Sequence, residues 1–88
     1  MSVTIEFLGI SAIGGGRRRL ELPVSKPTCV RDVVRLASDR LGQAVSPEQL
    51  EARYMVLVEG RNILYQDGWD TVVQPGQRVS VVPLLGGG

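Results

Sequence analysis

A single segment of helical hydrophobic periodicity lies in the middle of an otherwise strand-like sequence. Its apolar residues recur at spacings of three and four, at Val30, Val33, Val34, Ala37 and Leu41. This spacing places them on one face of an α-helix that starts near Thr28 or Cys29 and stops at Gly42. One helix with one apolar face can cover one side of one small sheet, and the remaining elements must supply that sheet.

The residues before this helix predict a β-hairpin. Two stretches alternate apolar and polar residues, with Val3, Ile5 and Phe7 in the first and Leu20, Leu22 and Val24 in the second. Alternation with period two is typical of a half-buried strand. The glycine run at residues 14–16 lies between the two stretches and is expected to connect them.

The residues after the helix predict further strands. Tyr54–Glu59 is apolar on both faces, which favours a covered or central strand. Ile63–Tyr65 is expected to form a short edge strand, and Arg78–Val82 the last strand, ended by Pro83. Ser46–Arg53 carries the start signal Ser-Pro-Glu and is expected to form a turn or a single helical turn.

This order of elements predicts an α+β domain of two layers, with the main helix packed on one face of a mixed sheet of four to five strands. It is the order of the ubiquitin-like β-grasp, in which the first and last strands lie side by side and parallel. With 88 residues the chain has room for one domain. We assign residues 1–83 to this domain and residues 84–88 to a flexible, glycine-rich tail.

Composition restricts the chemistry that the chain could perform alone. The formal net charge is +1, which argues against a phosphate-backbone binder. Histidine is absent and Cys29 is the only cysteine, so the commonest general base and the commonest zinc ligands are missing. We therefore expect no bound metal or cofactor and no self-contained active site. No secretory signal or membrane span is recognisable, and a reducing, cytoplasmic location is expected.

The last five residues, Leu84-Leu85-Gly86-Gly87-Gly88, follow the last predicted strand directly. Glycines cannot help the fold, because they bury no side chain and lose the most backbone entropy when ordered. One interpretation is a frayed terminus without a role. The other is a thin thread whose terminal carboxylate enters a narrow channel of another protein, with the globular domain as its handle.

Three segments resemble one protein family, the ubiquitin-like sulfur carriers of the MoaD/ThiS type. Val56–Ile63 is similar to their valine-rich strand followed by Glu-Gly-Arg, and residues 70–79 are similar to their Asp-Thr segment and glycine turn. Val81–Gly87 is similar to their strand, proline hinge and Gly-Gly ending. The third glycine, Gly88, departs from the family's usual ending. The family includes the small subunit of molybdopterin synthase and the thiamine-pathway carrier ThiS, which tends to be shorter.

The resemblance implies a mechanism in which other proteins act on the tail. An adenylating enzyme related to ubiquitin-activating enzymes would use ATP to activate the carboxylate of Gly88, or of Gly87 if one residue is trimmed. Sulfur would then replace AMP and leave a thiocarboxylate, to be donated inside the large subunit of molybdopterin synthase or an equivalent acceptor. Pro83, Leu84 and Leu85 would position the thread, and Gly86, Gly87 and Gly88 would occupy the partner's tunnel.

Other interpretations stay open at the level of sequence. The sulfur acceptor could instead be a thiazole precursor or tRNA, or the tail could be conjugated to lysines as a protein modifier. A different class is a β-grasp interaction or RNA-binding module with an incidental tail. Arg17–Arg19 then suggests a solvated hairpin or a partner-docking surface more than an RNA site, because the net charge is +1 and no aromatic residues are interleaved. Cys29 fits a packing role better than a reactive one, and Trp69 fits a cap over the sheet edge.

Overall fold

The computed structural model describes residues 1–9 and 17–84. Its strands and α-helices are, in chain order, β1 (Ser2–Leu8), β2 (Arg17–Pro23), β3 (Thr28–Cys29), α1 (Val30–Leu41), α2 (Pro47–Arg53), β4 (Tyr54–Val58), β5 (Arg61–Asn62), β6 (Val72–Val73) and β7 (Arg78–Pro83). Two 3-10 helices, Ile63–Tyr65 and Gly68–Asp70, lie between β5 and β6. The division of the chain at residue 83 stays a prediction, because residues 85–88 lie outside the described residues.

Five strands form one mixed sheet in the order β2-β1-β7-β4-β5. β1 pairs antiparallel with β2 and parallel with β7, and β4 pairs antiparallel with both β7 and β5. The antiparallel pairing of the predicted hairpin and the parallel pairing of the first and last strands are confirmed. The last strand therefore occupies the centre of the sheet. The predicted glycine connection, residues 14–16, lies outside the described residues.

Helix α1 covers one face of this sheet, as its periodicity predicts. Its buried residues are Val30, Val33, Val34 and Ala37. They pack against the alternate residues of β1 and β7 that point to the same side, which are Val3, Ile5, Phe7, Val79 and Val81. Cys29 is the N-cap, and Gly42 closes the helix with a φ of 69°. The fold is thus the two-layer α+β arrangement expected from the sequence.

The predicted edge strand at Ile63–Tyr65 is wrong. The edge strand is Arg61–Asn62, which pairs with Leu57 and Val58 of β4. The chain then turns into a 3-10 helix, because the Asn62 side chain caps it by accepting a hydrogen bond from the Leu64 N–H at 2.9 Å. A local cap competes with the strand ladder here, which is the usual role of asparagine near helix starts.

Two smaller features were only partly visible in the sequence. Helix α2 is longer than one turn, and a reciprocal capping box between Ser46 and Gln49 begins it. β3 and β6 form a separate two-stranded ribbon, paired at Thr28 with Val73 and at Cys29 with Val72. The Val30 N–H donates to the Thr71 carbonyl at 2.9 Å, so this ribbon joins the start of α1 to the second 3-10 helix.

Candidate functional site at the end of the last strand

The chain leaves the domain at the end of β7, the central strand of the sheet. β7 has strand partners on both sides, and its inward residues Val79 and Val81 are fully buried. Its last residue, Pro83, lies opposite Tyr54 in the antiparallel register with β4. The point from which any further residues extend is therefore fixed with respect to the core.

Pro83 also contacts the end of β1. Because β1 and β7 run parallel, Gly9 lies beside Pro83, and Gly9 has a φ of 70°. A Cβ built on Gly9 would lie 3.3 Å from the Pro83 Cγ, which is closer than ordinary van der Waals contact. Glycine is required here both by the left-handed backbone and by this close approach.

Leu84, the last described residue, is attached to helix α2. Its N–H donates to the Arg53 carbonyl at 3.0 Å, so the path of the chain stays fixed one residue beyond the strand. The Leu84 side chain is 46% exposed and forms part of the lining of an apolar cavity.

This cavity lies at the part of β4 that β5 does not cover. β5 pairs only with Leu57 and Val58, and in the described part of the chain residues 54–56 of β4 have no strand beside them on that side. The cavity has a volume of about 150 Å³. Its lining residues are Glu51, Tyr54, Met55, Val56, Asn62, Ile63, Leu64, Trp69 and Leu84.

Trp69 forms one wall of the cavity. It lies on the second 3-10 helix, is partly buried against the core, and donates a hydrogen bond from its Nε1 to Glu51 Oε1 at 3.2 Å. The indole thus connects this 3-10 helix to α2. This packing agrees with the predicted role of Trp69 as a cap at the sheet edge.

Apolar side chains extend from the cavity rim onto the surface. Leu64 is 73% exposed and Tyr65 is 89% exposed, both on the first 3-10 helix. Because the predicted edge strand is replaced by this helix, these side chains point away from the sheet. An apolar surface beside the exit of the chain is the kind of feature that a partner protein can cover.

The open face of the sheet, away from α1, carries a polar hollow instead. Glu6 is almost fully buried there, and its Oε1 lies 3.4 Å from the Arg78 Nε. The Arg78 N–H donates to Glu59 Oε2 at 2.7 Å. The Glu59 carboxylate therefore connects the turn after β4 to the first residue of β7.

Asp70 lies elsewhere and pairs with Arg31 of helix α1 at 2.6 Å. The hydrogen bond from the guanidinium to Asp70 raises the pKa of Arg31 above its ordinary value, and the charge of Asp70 acts in the same direction. Glu59 and Asp70 thus have separate partners in different parts of the fold.

The structure brings together two of the residues that the sequence analysis assigned to the site, Pro83 and Leu84. The others, Leu85, Gly86, Gly87 and Gly88, lie outside the described residues. Cys29 is half-buried at the start of α1. In the described part of the chain no group of three Asp, Glu or Cys residues is arranged to hold a metal ion.

Sequence reasoning missed the cavity and its attachment to α2. The signal that could have indicated the cavity is that Tyr54–Glu59 carries apolar residues on both faces. Because β4 buries only alternate residues, the apolar residues between them need another place to pack. Met55 and Tyr54 are left half-buried and available for the cavity wall. The hydrogen bond from Leu84 to the Arg53 carbonyl involves only backbone atoms and leaves no trace in the sequence.

The sheet order, the single covering helix and the central last strand together define a small ubiquitin-like β-grasp protein. Two solved structures support this class. The solution structure of the Haloferax volcanii HVO 2177 protein is similar with a TM-score of 0.55 and 24% identity, over 99% of this chain and 88% of that one. The solution structure of small archaeal modifier protein 1 (SAMP1) from Methanosarcina acetivorans is similar with a TM-score of 0.57 and 16% identity, over 100% and 99% of the two chains. At these identities the likeness carries the fold alone.

The family follows from sequence. The model of the ThiS family matches residues 10–88, and the chain belongs to this family. It is a ubiquitin-like protein of the sulfur-carrier type, a kind of small protein that generally works with separate activating and sulfur-accepting enzymes. No curated protein matches the chain significantly. None of the helices in residues 1–9 and 17–84 has the length and apolar character needed to cross a membrane.

Proposed function

We propose that the protein carries sulfur on its carboxyl-terminal glycine, as the MoaD-type small subunit of molybdopterin synthase. The observation that carries the sulfur-carrier part is the ThiS family match, which extends through residue 88 and so includes the glycine run. The choice of molybdopterin as the product follows the resemblance of the chain to MoaD-type carriers and is part of this proposal. We place this activity in the cytoplasm, where the single thiol of Cys29 would stay reduced.

The proposed chemistry begins with activation of a poor electrophile. A partner related to ubiquitin-activating enzymes transfers AMP from ATP to the carboxylate of Gly88, or of Gly87 after removal of one residue, and releases pyrophosphate. The acyl carbon then has AMP as a good leaving group. Attack by hydrosulfide forms the C–S bond and breaks the C–O bond to AMP. With a persulfide donor, a thiol must afterwards reduce the acyl disulfide to free the thiocarboxylate.

The described residues support this proposal because they fix the point from which the tail extends. β7 lies between two strands and Leu84 is hydrogen bonded to Arg53, so the domain presents the following residues from one fixed point. Side-chain-free backbone beyond that point can approach a nucleotide closely. Pro83, Leu84 and Leu85 are proposed to position the thread, while Gly86 and Gly87 pass through the partner's tunnel. No bound cofactor is proposed for the carrier itself.

Mass spectrometry of the intact protein tests the proposal. After incubation with the activating enzyme, ATP and a sulfur source, we expect the mass gain that corresponds to replacing one oxygen by sulfur, located on the last tryptic peptide. Omission of ATP is the matched control. An unchanged mass under complete conditions would contradict the proposal. Supplying the charged carrier to molybdopterin and thiazole precursor systems in parallel then identifies the acceptor.

Conjugation to lysine is a second candidate function. It is favoured by the structural likeness to a protein named small archaeal modifier protein 1, whose title describes it as a modifier. The same acyl-adenylate would serve, with a lysine amine as the nucleophile instead of sulfur. Isopeptide-linked products on other proteins, absent when Gly87 and Gly88 are deleted, would distinguish this outcome from sulfur transfer.

A further inference from the structure

β2 is the long, accessible edge of the sheet. In residues 1–9 and 17–84 only β1 pairs with it, whereas the opposite edge strand, β5, has two residues. β2 has seven residues, which corresponds to about 23 Å of extended backbone. An edge of this length presents a row of unpaired backbone groups to which another strand can add.

The alternation of hydrogen-bonded and non-bonded pairs between β1 and β2 identifies which backbone groups of β2 are free. The Val24 N–H donates to the Met1 carbonyl at 3.1 Å, while the Thr4 N–H donates to Gln77 on the β7 side at 3.1 Å. Since antiparallel pairs alternate between bonded and non-bonded, Thr4 is not bonded to its partner Glu21. The N–H groups of Arg17, Arg19 and Glu21 therefore point away from the sheet.

Positive charge is concentrated along this edge. Arg17, Arg18 and Arg19 are all exposed. The three ion pairs of the described residues involve other arginines, namely Arg31, Arg35 and Arg78. By the register with β1, Arg17 and Arg19 lie on the open face with Glu6, and Arg18 lies on the side of α1 with Phe7.

A shallow apolar groove runs beside the same edge. It lies between β2 and α1 and is lined by Leu22, Pro23, Leu36, Asp39 and Arg40. Leu36 is 40% exposed although it belongs to the main helix. A strand added beside β2 would place alternate side chains over this groove and over the arginines of the open face.

We propose that the β2 edge binds an extended segment of a partner protein in which acidic and apolar residues alternate. The acidic side chains meet Arg17 and Arg19, the apolar ones cover the exposed side chain of Leu36, and the backbone pairs with the free N–H groups. A second copy of this chain is disfavoured as the occupant, since two β2 edges would bring six arginines to one seam. This surface is separate from Pro83 and Leu84 and is independent of the sulfur-carrier proposal.

The test uses the whole protein and a synthetic peptide of alternating aspartate and valine, acetylated and amidated. In a titration followed by amide NMR, the largest shifts are expected at Arg17, Arg19 and Glu21. A peptide with lysine in place of aspartate is expected to bind at least about tenfold more weakly. Reversal of charge in R17E/R19E is expected to weaken binding by a similar factor, whereas R61E at the opposite edge leaves it unchanged.

Two variants at one position separate strand addition from simple charge attraction. Glu21→Pro and Glu21→Gln both remove the negative charge, but only proline removes the outward N–H, and Pro23 shows that this edge accepts proline. We expect Glu21→Pro to bind about tenfold more weakly than Glu21→Gln. If Glu21→Pro does not fold, N-methylation of the peptide's β2-facing amides tests strand addition with the unaltered protein, by removing the bonds that those amides donate to the β2 carbonyls.

Three results would overturn the proposal. The first is equal affinity of the two Glu21 variants or of the N-methylated peptide. The second is a set of NMR shifts located away from β2. The third is a dimer in sedimentation equilibrium without peptide that R17E/R19E dissociates, because a second copy would then be the occupant of the edge.

Discussion

Gly9, just beyond the end of β1, lies beside Pro83 at the exit of the chain. Gly9 combines a φ of 70° with a neighbouring ring that leaves little room for a Cβ. Gly42 has almost the same φ, 69°, but a Cβ there would meet nothing within 4 Å. The two glycines therefore separate the effect of backbone strain from the effect of packing against Pro83.

We predict that Gly42→Ala lowers the free energy of unfolding by about 1 kcal/mol, the usual cost of a left-handed non-glycine residue. Gly9→Ala is predicted to lower it by about 2 kcal/mol, since the contact with Pro83 adds to the strain. Urea denaturation of both variants measures the difference. Equal losses would mean that Pro83 moves aside without cost.

Leu84 is the residue through which the domain is proposed to orient the tail. We predict that Leu84→Ala raises KM for activation by the adenylating partner about tenfold. The substitution removes an apolar contact with the partner and leaves the tail less well oriented. Initial rates of pyrophosphate release at varied carrier concentration measure this effect. Val72→Ala is the matched control, because Val72 is similarly exposed but lies on β6 and does not line the cavity beside Leu84. A KM that changes equally in both variants would remove Leu84 from the site.

Helix α2 is the element that connects the fold to the exit. It supplies the Arg53 carbonyl to the Leu84 N–H and the Glu51 carboxylate to the Trp69 indole. Its seven residues are too few for a stable isolated helix, so its capping box and the burial of Leu50 must hold it in place. Fraying of this helix would therefore be transmitted to Leu84.

Removal of the cap tests this connection. Ser46→Ala is predicted to lower the free energy of unfolding by about 1 kcal/mol and to speed hydrogen exchange at the Leu84 amide. Ser46→Asp keeps an oxygen acceptor and is expected to restore both quantities. Exchange followed by NMR gives the site-resolved result. Faster exchange at Leu84 in both variants would show that the cap does not govern the exit.

At the same scale, the elements that the sequence predicted are those with a long repeating pattern. The alternation of Val3, Ile5 and Phe7 and the helical face of Val30–Leu41 reflect burial over many residues, and both are confirmed. Ile63–Tyr65 failed because three residues carry too short a pattern to outweigh one asparagine cap. The β3–β6 ribbon depends on two-residue pairings between distant segments, which no local pattern indicates.

The whole molecule is organised around its last strand, and the proposed chemistry lies beyond that strand. Deletion of Gly87 and Gly88 removes none of the described contacts. We predict that the deletion changes Tm by no more than about 1 °C while it abolishes thiocarboxylate formation. Calorimetry and mass spectrometry on the same preparation measure the two effects. Retained sulfur transfer would favour the alternative of an interaction module with an incidental tail.

Some parts of the candidate site could be predicted from the sequence, and others could not. Pro83 and Gly86–Gly88 were assigned to the site from residue type, because glycine freedom and proline stiffness are properties of single residues, and the roles of Gly86–Gly88 stay predictions. The cavity beside Leu84 could not be predicted, since α2, β4 and the two 3-10 helices contribute to it from segments far apart in the chain. Its walls exist only after the sheet has formed.

The central position of β7 has a mechanical consequence. An enzyme that pulls on the chain beyond Leu84 while holding the rest of the domain applies its force along β7. The backbone bonds to β1 and β4 then share the load together in shear, instead of opening one after another. The domain can accordingly serve as a firm grip during repeated loading and unloading without being drawn apart.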